Sequence, residues 1–187
     1  ITNDGFDGFY RGPIAQTLVN DVTRNGGDWT LNDLASYNVV ERDPIRVMLG
    51  DTEFISAPPP SSGGIAIAQM IKMLEHFDWE EMNSADQMHL LTEVMRRAYR
   101  DRAEFLGDPD FVDVPVSELI SDTRNTSWAK NIDMKKATPS LSLEGPKNIQ
   151  EGFHTTHLSV VDSEGNRVSA TLSINLPFGS AYTVAGT

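Results

Sequence analysis

The sequence predicts a mixed α/β chain of the α+β kind, and three observations lead there. Residues 168–175 alternate apolar and polar after a Gly165-Asn166 turn, the period of a strand with one buried face. Two long segments, 13–25 and 84–105, instead carry helix-start residues followed by apolar stripes at helical spacing. A further segment, 42–56, breaks at Gly50-Asp51 and reads as a hairpin. At 187 residues the chain suffices for one domain with a small lobe at most.

Taken in order, Pro13 suits a first helical position, and Ile14, Leu18, Val19 and Val22 form one stripe before Gly26-Gly27 stops the helix. Thr30 and Asp33 have capping-box spacing and open a short helix ending near Tyr37. Ile45, Val47 and Leu49, then Phe54 and Ile55, mark the two strands of the hairpin. Pro58-Pro59-Pro60 makes a stiff entry to a helix capped by Ser61 or Ser62, with a stripe of Ile67, Met70, Ile71 and Leu74 running to about Phe77. That loop reads chiefly as a rigid connection, although free N–H groups at its helix start suit a carboxylate. Ser84 to Gln87 has the form of a capping box and opens a long helix to about Phe105. Its expected stripe is Met88, Leu91, Val94 or Met95, Ala98 and Phe105. Its charged face (Glu93, Arg96, Arg97, Arg100, Asp101, Arg102 and Glu104) is expected to be solvated and chemically idle. His89 beside the stripe reads as a packed or surface histidine.

Gly107 to Asp110 is a turn. Asp101, Asp108, Asp110 and Asp113 lack the twelve-residue spacing of an EF-hand, so caps and turns account for them better than calcium does. Short helices are expected over 115–120 and 122–131, and a loop over 137–152.

A net charge of −12 argues against nucleic acid or anionic membranes as partners, since phosphate neutralisation needs Lys and Arg. The absence of cysteine excludes disulfides, Cys–zinc sites and thiol nucleophiles. No window approaches the roughly 18 apolar residues of a membrane span. Neither end has ordinary terminal features, so the chain is expected to be an excised piece whose precursor can still carry a signal peptide.

The hairpin at 154–175 is where chemistry concentrates. Val168, Ala170, Leu172 and Ile174 fall on one face, and Ser169, Thr171, Ser173 and Asn175 on the other. Hydroxyls facing an interior need partners, so this face calls for water or a polar ligand. In the first strand, Leu158 and Val160 oppose His157, Ser159 and Val161, a mixed pattern that suggests cover on both sides. Thr155 can act as a nucleophile if its own α-amino group is freed to serve as base. It can equally be an ordinary strand threonine.

The octet T-T-H-L-S-V-V-D at 155–162, followed by S-I-N-L-P-F-G, resembles the processing junction of the γ-glutamyltranspeptidases, which are N-terminal-nucleophile hydrolases. A-P-P-P-S-S-G-G-I (57–65), D-R-A-E-F-L-G-D-P-D-F (101–111) and G-F-Y-R-G-P-I-A (8–15) are similar to that family's large-subunit signatures, in the same order. The resemblance covers essentially the whole chain. It implies a four-layer α/β/β/α sandwich of which this chain holds only part. Residues 1–154 correspond to the end of the large-subunit region and 155–187 to the start of the small one. It implies self-cleavage between His154 and Thr155, then attack of Thr155 on a γ-glutamyl donor such as glutathione. Water or an amino-acid or peptide amine is the acceptor, with no cofactor or metal. Ser173 stands where the family has a hydroxyl that bonds the nucleophile, Asn175 where its Asn holds the donor's α-amino end, and Thr171 supports them. His154 is the residue lost from the nucleophile's front, and His157 a neighbour in the sheet. The family's oxyanion glycines, donor-binding acidic residue, serine pair and carboxylate-binding Arg are not in this chain. The isolated piece is therefore expected to be inactive or nearly so, to depend on the remainder of its precursor, and to self-associate through exposed strand edges. A periplasmic or extracellular place follows from the same resemblance. The alternatives are a related amidase, such as a cephalosporin acylase or a poly-γ-glutamate-cutting enzyme, or an inactive structural piece.

Overall fold

The computed structural model describes residues 3–143, 155–173 and 179–187, with the backbone alone at 155–157 and 173. The chain divides into two compact units, residues 1–40 with 150–187, and residues 41–149.

In the first unit, helices α1 (Asp7–Tyr10), α2 (Pro13–Arg24) and α3 (Leu31–Ala35) precede the later hairpin of β3 (Thr155–Val161) and β4 (Arg167–Ser173). Pro13 occupies the first turn of α2, and Gly26 at φ +90° ends it, a conformation that needs no Cβ. The buried residues of α2 are Ala15 and Val19, while Ile14 of the expected stripe is exposed. The Thr30–Asp33 capping box forms in both directions, and α3 ends two residues before Tyr37. Tyr182 closes onto α2: its hydroxyl donates to Asp21 Oδ2 at 2.5 Å and accepts from Asn25 Nδ2 at 2.7 Å.

The second unit pairs β1 (Ile45–Leu49) with β2 (Thr52–Ser56) around Gly50, as the alternation required. Ile45 and Val47 point inward, and Ile45 meets Ile65 and Leu119 in a small core. Helix α4 (Gly63–Leu74) packs on α5 (Ser84–Phe105) and α7 (Asp122–Lys130), with α6 (Val116–Leu119) beside them. The main core joins Ala66, Met73, Leu90, Val94, Ala98 and Ala129.

Three sequence expectations fail here for physical reasons. Ser62 precedes α4 without making a side-chain cap, because its hydroxyl accepts from Arg102 Nε at 3.0 Å. The buried side of α4 is Gly64, Ile65, Ala66, Ala68, Gln69 and Met73, whereas Ile67 of the expected stripe is exposed. Small residues let the hairpin and neighbouring helices approach closely, and that closeness decides the face. Helix α5 is capped by Asn83, whose Oδ1 accepts from the N–H groups of Ala85 and Asp86, one residue before the expected Ser84.

The largest departure is the face that α5 buries. Met88, Leu91 and Met95 are exposed, while Glu93, Arg97 and Asp101, expected in solvent, are no more than 1% exposed. They are buried because they are paired. Arg97 Nη1 donates to Glu93 Oε2 at 2.6 Å, and Arg124 reaches both oxygens of Asp101 at 2.8 and 2.9 Å. Gln69 and Trp128 also donate to Asp101. Buried charges persist only with such partners. Among the described residues, no helix is long and apolar enough to cross a membrane.

Candidate active site

The polar hairpin is built by its turn. Asp162 N–H donates to the Asn166 carbonyl at 3.1 Å. The Asp162 carboxylate in turn accepts from the N–H groups of Glu164 and Asn166, both at 2.9 Å, and from Asn166 Nδ2 at 2.7 Å. The Asn166 side chain, its N–H and those of Glu164 and Gly165 hold this exposed carboxyl below the usual range. Gly165 sits at φ +85°, where a side chain would be strained. Sequence reasoning identified the Gly-Asn turn but missed Asp162; its place at a strand end, four residues before an Asn, was the available signal.

This loop sets the register. Thr155 lies opposite Ser173, His157 opposite Thr171, and Ser159 opposite Ser169; Thr156, Leu158 and Val160 lie opposite Leu172, Ala170 and Val168. Directly opposed positions of an antiparallel pair share a face, with Cβ atoms about 4.5–5.5 Å apart. Thr155, Ser173, His157, Thr171, Ser159 and Ser169 therefore occupy one face and an apolar row the other. Of the expected site residues, the backbone brings Thr155, Ser173 and Thr171 together on that face. His154 and Asn175 lie outside the described residues. Leu158, Val160, Val168 and Leu172 on the apolar row are all exposed.

The P-P-P-S-S-G-G loop shows structural service. Gly64 lies where a Cβ would meet Ile45, the Ala57 carbonyl and Ser56, so the strand-to-helix connection demands glycine for close approach. Asp110 pairs with Arg42 at 2.6 Å, and Asp108 Oδ1 accepts from the Asp110 N–H, so these aspartates act in turns and pairs. His89 Nε2 meets the Asp133 carbonyl oxygen at 2.9 Å. Among the described residues, no group of three or more His, Asp or Glu side chains is placed to hold a metal ion.

The family model described as Gamma-glutamyltranspeptidase matches residues 1–187. The glutathione hydrolase proenzyme of Escherichia coli (strain K12) is 44% identical over 189 aligned residues, covering 100% of this chain and 32% of that protein. The Acylase ACY 1 proenzyme of Pseudomonas sp. (strain SE83) is 38% identical, covering 100% of this chain and 33% of that protein. Among solved structures, the γ-glutamyltranspeptidase from Pseudomonas nitroreducens complexed with L-DON superposes with a TM-score of 0.71 and 36% identity, over 78% of this chain and 44% of that one. The cephalosporin acylase from Bacillus halodurans gives a TM-score of 0.76 over 95% of this chain and 31% of that one; at 24% identity this is a likeness of fold alone. These neighbours share the expected α+β fold of N-terminal-nucleophile hydrolase type. The chain spans about a third of the length of the curated relatives it matches. The hydroxyl-bearing hairpin thus sits in a sequence that matches one family from end to end, and the chain belongs to the γ-glutamyltranspeptidase family.

Proposed function

We propose that this chain is the junction-bearing part of a γ-glutamyltranspeptidase that cuts itself before Thr155. The Thr155 hydroxyl attacks the carbonyl carbon of His154, the acyl group passes from nitrogen to oxygen, and water releases it. Residues 1–154 then end one subunit region, and 155–187 begin the other. The freed α-amino group takes the hydroxyl proton as the oxygen attacks the γ-carbonyl of a donor such as glutathione. Loss of the donor's amine leaves a γ-glutamyl ester on Thr155. Water resolves it to glutamate, or the amine of an amino acid or peptide resolves it to a new γ-glutamyl amide. Ser173 bonds the nucleophile, Asn175 holds the donor's α-amino end, and Thr171 supports the row.

The observation that carries this reading is the register. Thr155 is opposed directly to Ser173, on the hydroxyl face and not the apolar one. The exposed apolar row is suited to cover by the remainder of the precursor, and the working enzyme belongs in the periplasm or outside the cell. This chain alone has little activity, because it spans only a third of its relatives and loss of even one oxyanion donor lowers rates by roughly 10²–10³.

The test is intact mass and N-terminal sequencing of the full-length product. A new terminus is expected at Thr155, and Thr155→Ala should stay a single chain and lose turnover of a γ-glutamyl anilide by more than about 10³-fold. Full turnover in that variant would end the proposal. The relative named an acylase motivates a second reading, an amidase acting on another acyl donor. A panel of γ-glutamyl and cephalosporin-type amides separates the two.

A further inference from the structure

Residues 179–187 fold back onto α2, and the chain accepts local strain to do so. Ala181 sits at φ +56°, a region that residues with a Cβ seldom enter and that persists only where the surroundings impose it. The next residue is Tyr182, whose hydroxyl donates to Asp21 Oδ2 at 2.5 Å and accepts from Asn25 Nδ2 at 2.7 Å. Donation to the Asp21 carboxylate, with desolvation adding to it, holds the phenol above its usual range. Two residues on, Val184 is buried, and it lines a cavity of about 510 Å³ together with Leu18, Val22 and Trp29. The Thr187 hydroxyl donates to the Val184 carbonyl at 2.9 Å and closes the turn. A polar anchor and apolar burial therefore act together on the C-terminal half of α2. Among the described elements, β3 and β4 pack chiefly on each other, so the described hairpin adds little to that attachment.

We propose that Tyr182 is a clasp between the two subunits that the cut before Thr155 creates, which rests on the processing reading above. Asp21 and Asn25 precede that bond and Tyr182 follows it. The two hydrogen bonds on the Tyr182 hydroxyl thus run within one chain before cleavage and between two chains after it. While the peptide link holds, the partners stay at high effective concentration, and the clasp is nearly redundant for keeping the parts together. Once the link is cut, both bonds contribute to an association equilibrium that obeys mass action. The surface is the C-terminal end of α2, and its partner is the segment 180–187 of the chain that Thr155 then heads.

The test uses the full-length enzyme after complete cleavage. Separation of its two chains, in urea just sufficient to part them, is followed by size-exclusion chromatography at several protein concentrations. Tyr182→Phe removes the hydroxyl and keeps the ring. A lost hydrogen bond corresponds to about two- to tenfold in an equilibrium, so the dissociation constant of the chains should rise by at least that factor. The kcat/KM of the associated variant, without urea, should match the parent within about twofold. Asp21→Ala reads the same bond from the other chain and should act in the same direction, whereas Asp21→Asn, which keeps an acceptor, should do much less. Asp21→Ala combined with Tyr182→Phe should be no worse than Tyr182→Phe alone. A parental dissociation constant in Tyr182→Phe overturns the proposal, and so do additive effects in the double variant. A parent that stays one chain, or a Thr155→Ala precursor cut at the same bond, removes the processing reading and the clasp with it; a cleaved parent whose Tyr182→Phe variant separates no more readily removes the clasp alone.

Discussion

Replacing Glu93 with Gln tests the buried charge network most directly. Glu93 and Arg97 are both 1% exposed and joined at 2.6 Å. Burial alone pushes the Glu93 carboxyl up, but hydrogen bonds from Thr138 and Arg97 outweigh it and hold the group at about 2, against an ordinary 4.5. A folded value below the unfolded one means stability that is fully present above the unfolded value and is lost as pH falls through the folded one. The difference of about 2.5 units corresponds to roughly 3 kcal/mol, lost between about pH 5 and pH 2. Gln keeps the shape and can still accept from Thr138, but it leaves the Arg97 charge without its counter-ion. Breaking a buried pair in this way costs about 3–5 kcal/mol at neutral pH. Urea unfolding of both proteins at pH 7, 5, 3.5 and 2.5 should show a gap of at least about 3 kcal/mol at pH 7. The gap should narrow by a similar amount toward pH 2.5, where the parent's own Glu93 begins to protonate. Asp101 also titrates low, through Arg124 and Gln69 working against its burial, but it is present in both proteins and cancels from the difference. A gap of the same size at pH 7 and pH 2.5 would refute the argument.

Two further substitutions probe the fold. Gly64→Ala places a methyl 2.7 Å from Ile45 Cδ1 and 2.8 Å from the Ala57 carbonyl and Ser56 Oγ, and backbone cannot yield cheaply. Thermal unfolding should report a loss of about 1–3 kcal/mol, whereas Gly63→Ala, whose nearest neighbour is Ser61 Oγ at 4.0 Å, should be tolerated. Asn83→Ala should lose about 1 kcal/mol with the cap of α5, and Ser84→Ala close to nothing; the opposite ranking would return the cap to Ser84.

Much of the architecture is legible because local chemistry decided it. Pro13 and Gly26 bound α2, Thr30 and Asp33 cap α3, and period-two alternation marks both hairpins. Each of those features is satisfied by residues a few positions apart. What escaped was settled by distant partners. The buried side of α5 follows Arg124, Gln69, Trp128 and Thr138, at separations of 23 to 45 residues, and hydropathy along the helix carries no trace of them. Likewise Ile67 is the more apolar residue, yet Ala66 and Ala68 are buried, because close approach favours small side chains over greasy ones. At the site the faces were readable from alternation, while the pairing of Thr155 with Ser173 needed the register.

That register bears on chemistry as much as on folding. Two threonines stand side by side at 155 and 156, and residue type gives no reason to prefer either as nucleophile. A strand's faces alternate with period two, so a slip of one residue would exchange them, placing Thr156 in the hydroxyl row and Thr155 among Leu158, Val160 and Leu172. A two-stranded sheet is only marginally stable by itself, and the apolar row here is exposed, so packing within this hairpin does little to oppose such a slip. The loop at 162–166 opposes it instead. Its carboxylate accepts three hydrogen bonds that exist only with Asn166 and Glu164 in their present places, and Gly165 takes the positive φ the reversal requires. On the proposed reading, which of the two neighbouring threonines stands in the hydroxyl row is decided at the far end of the hairpin, by the turn at 162–166 and the register it sets.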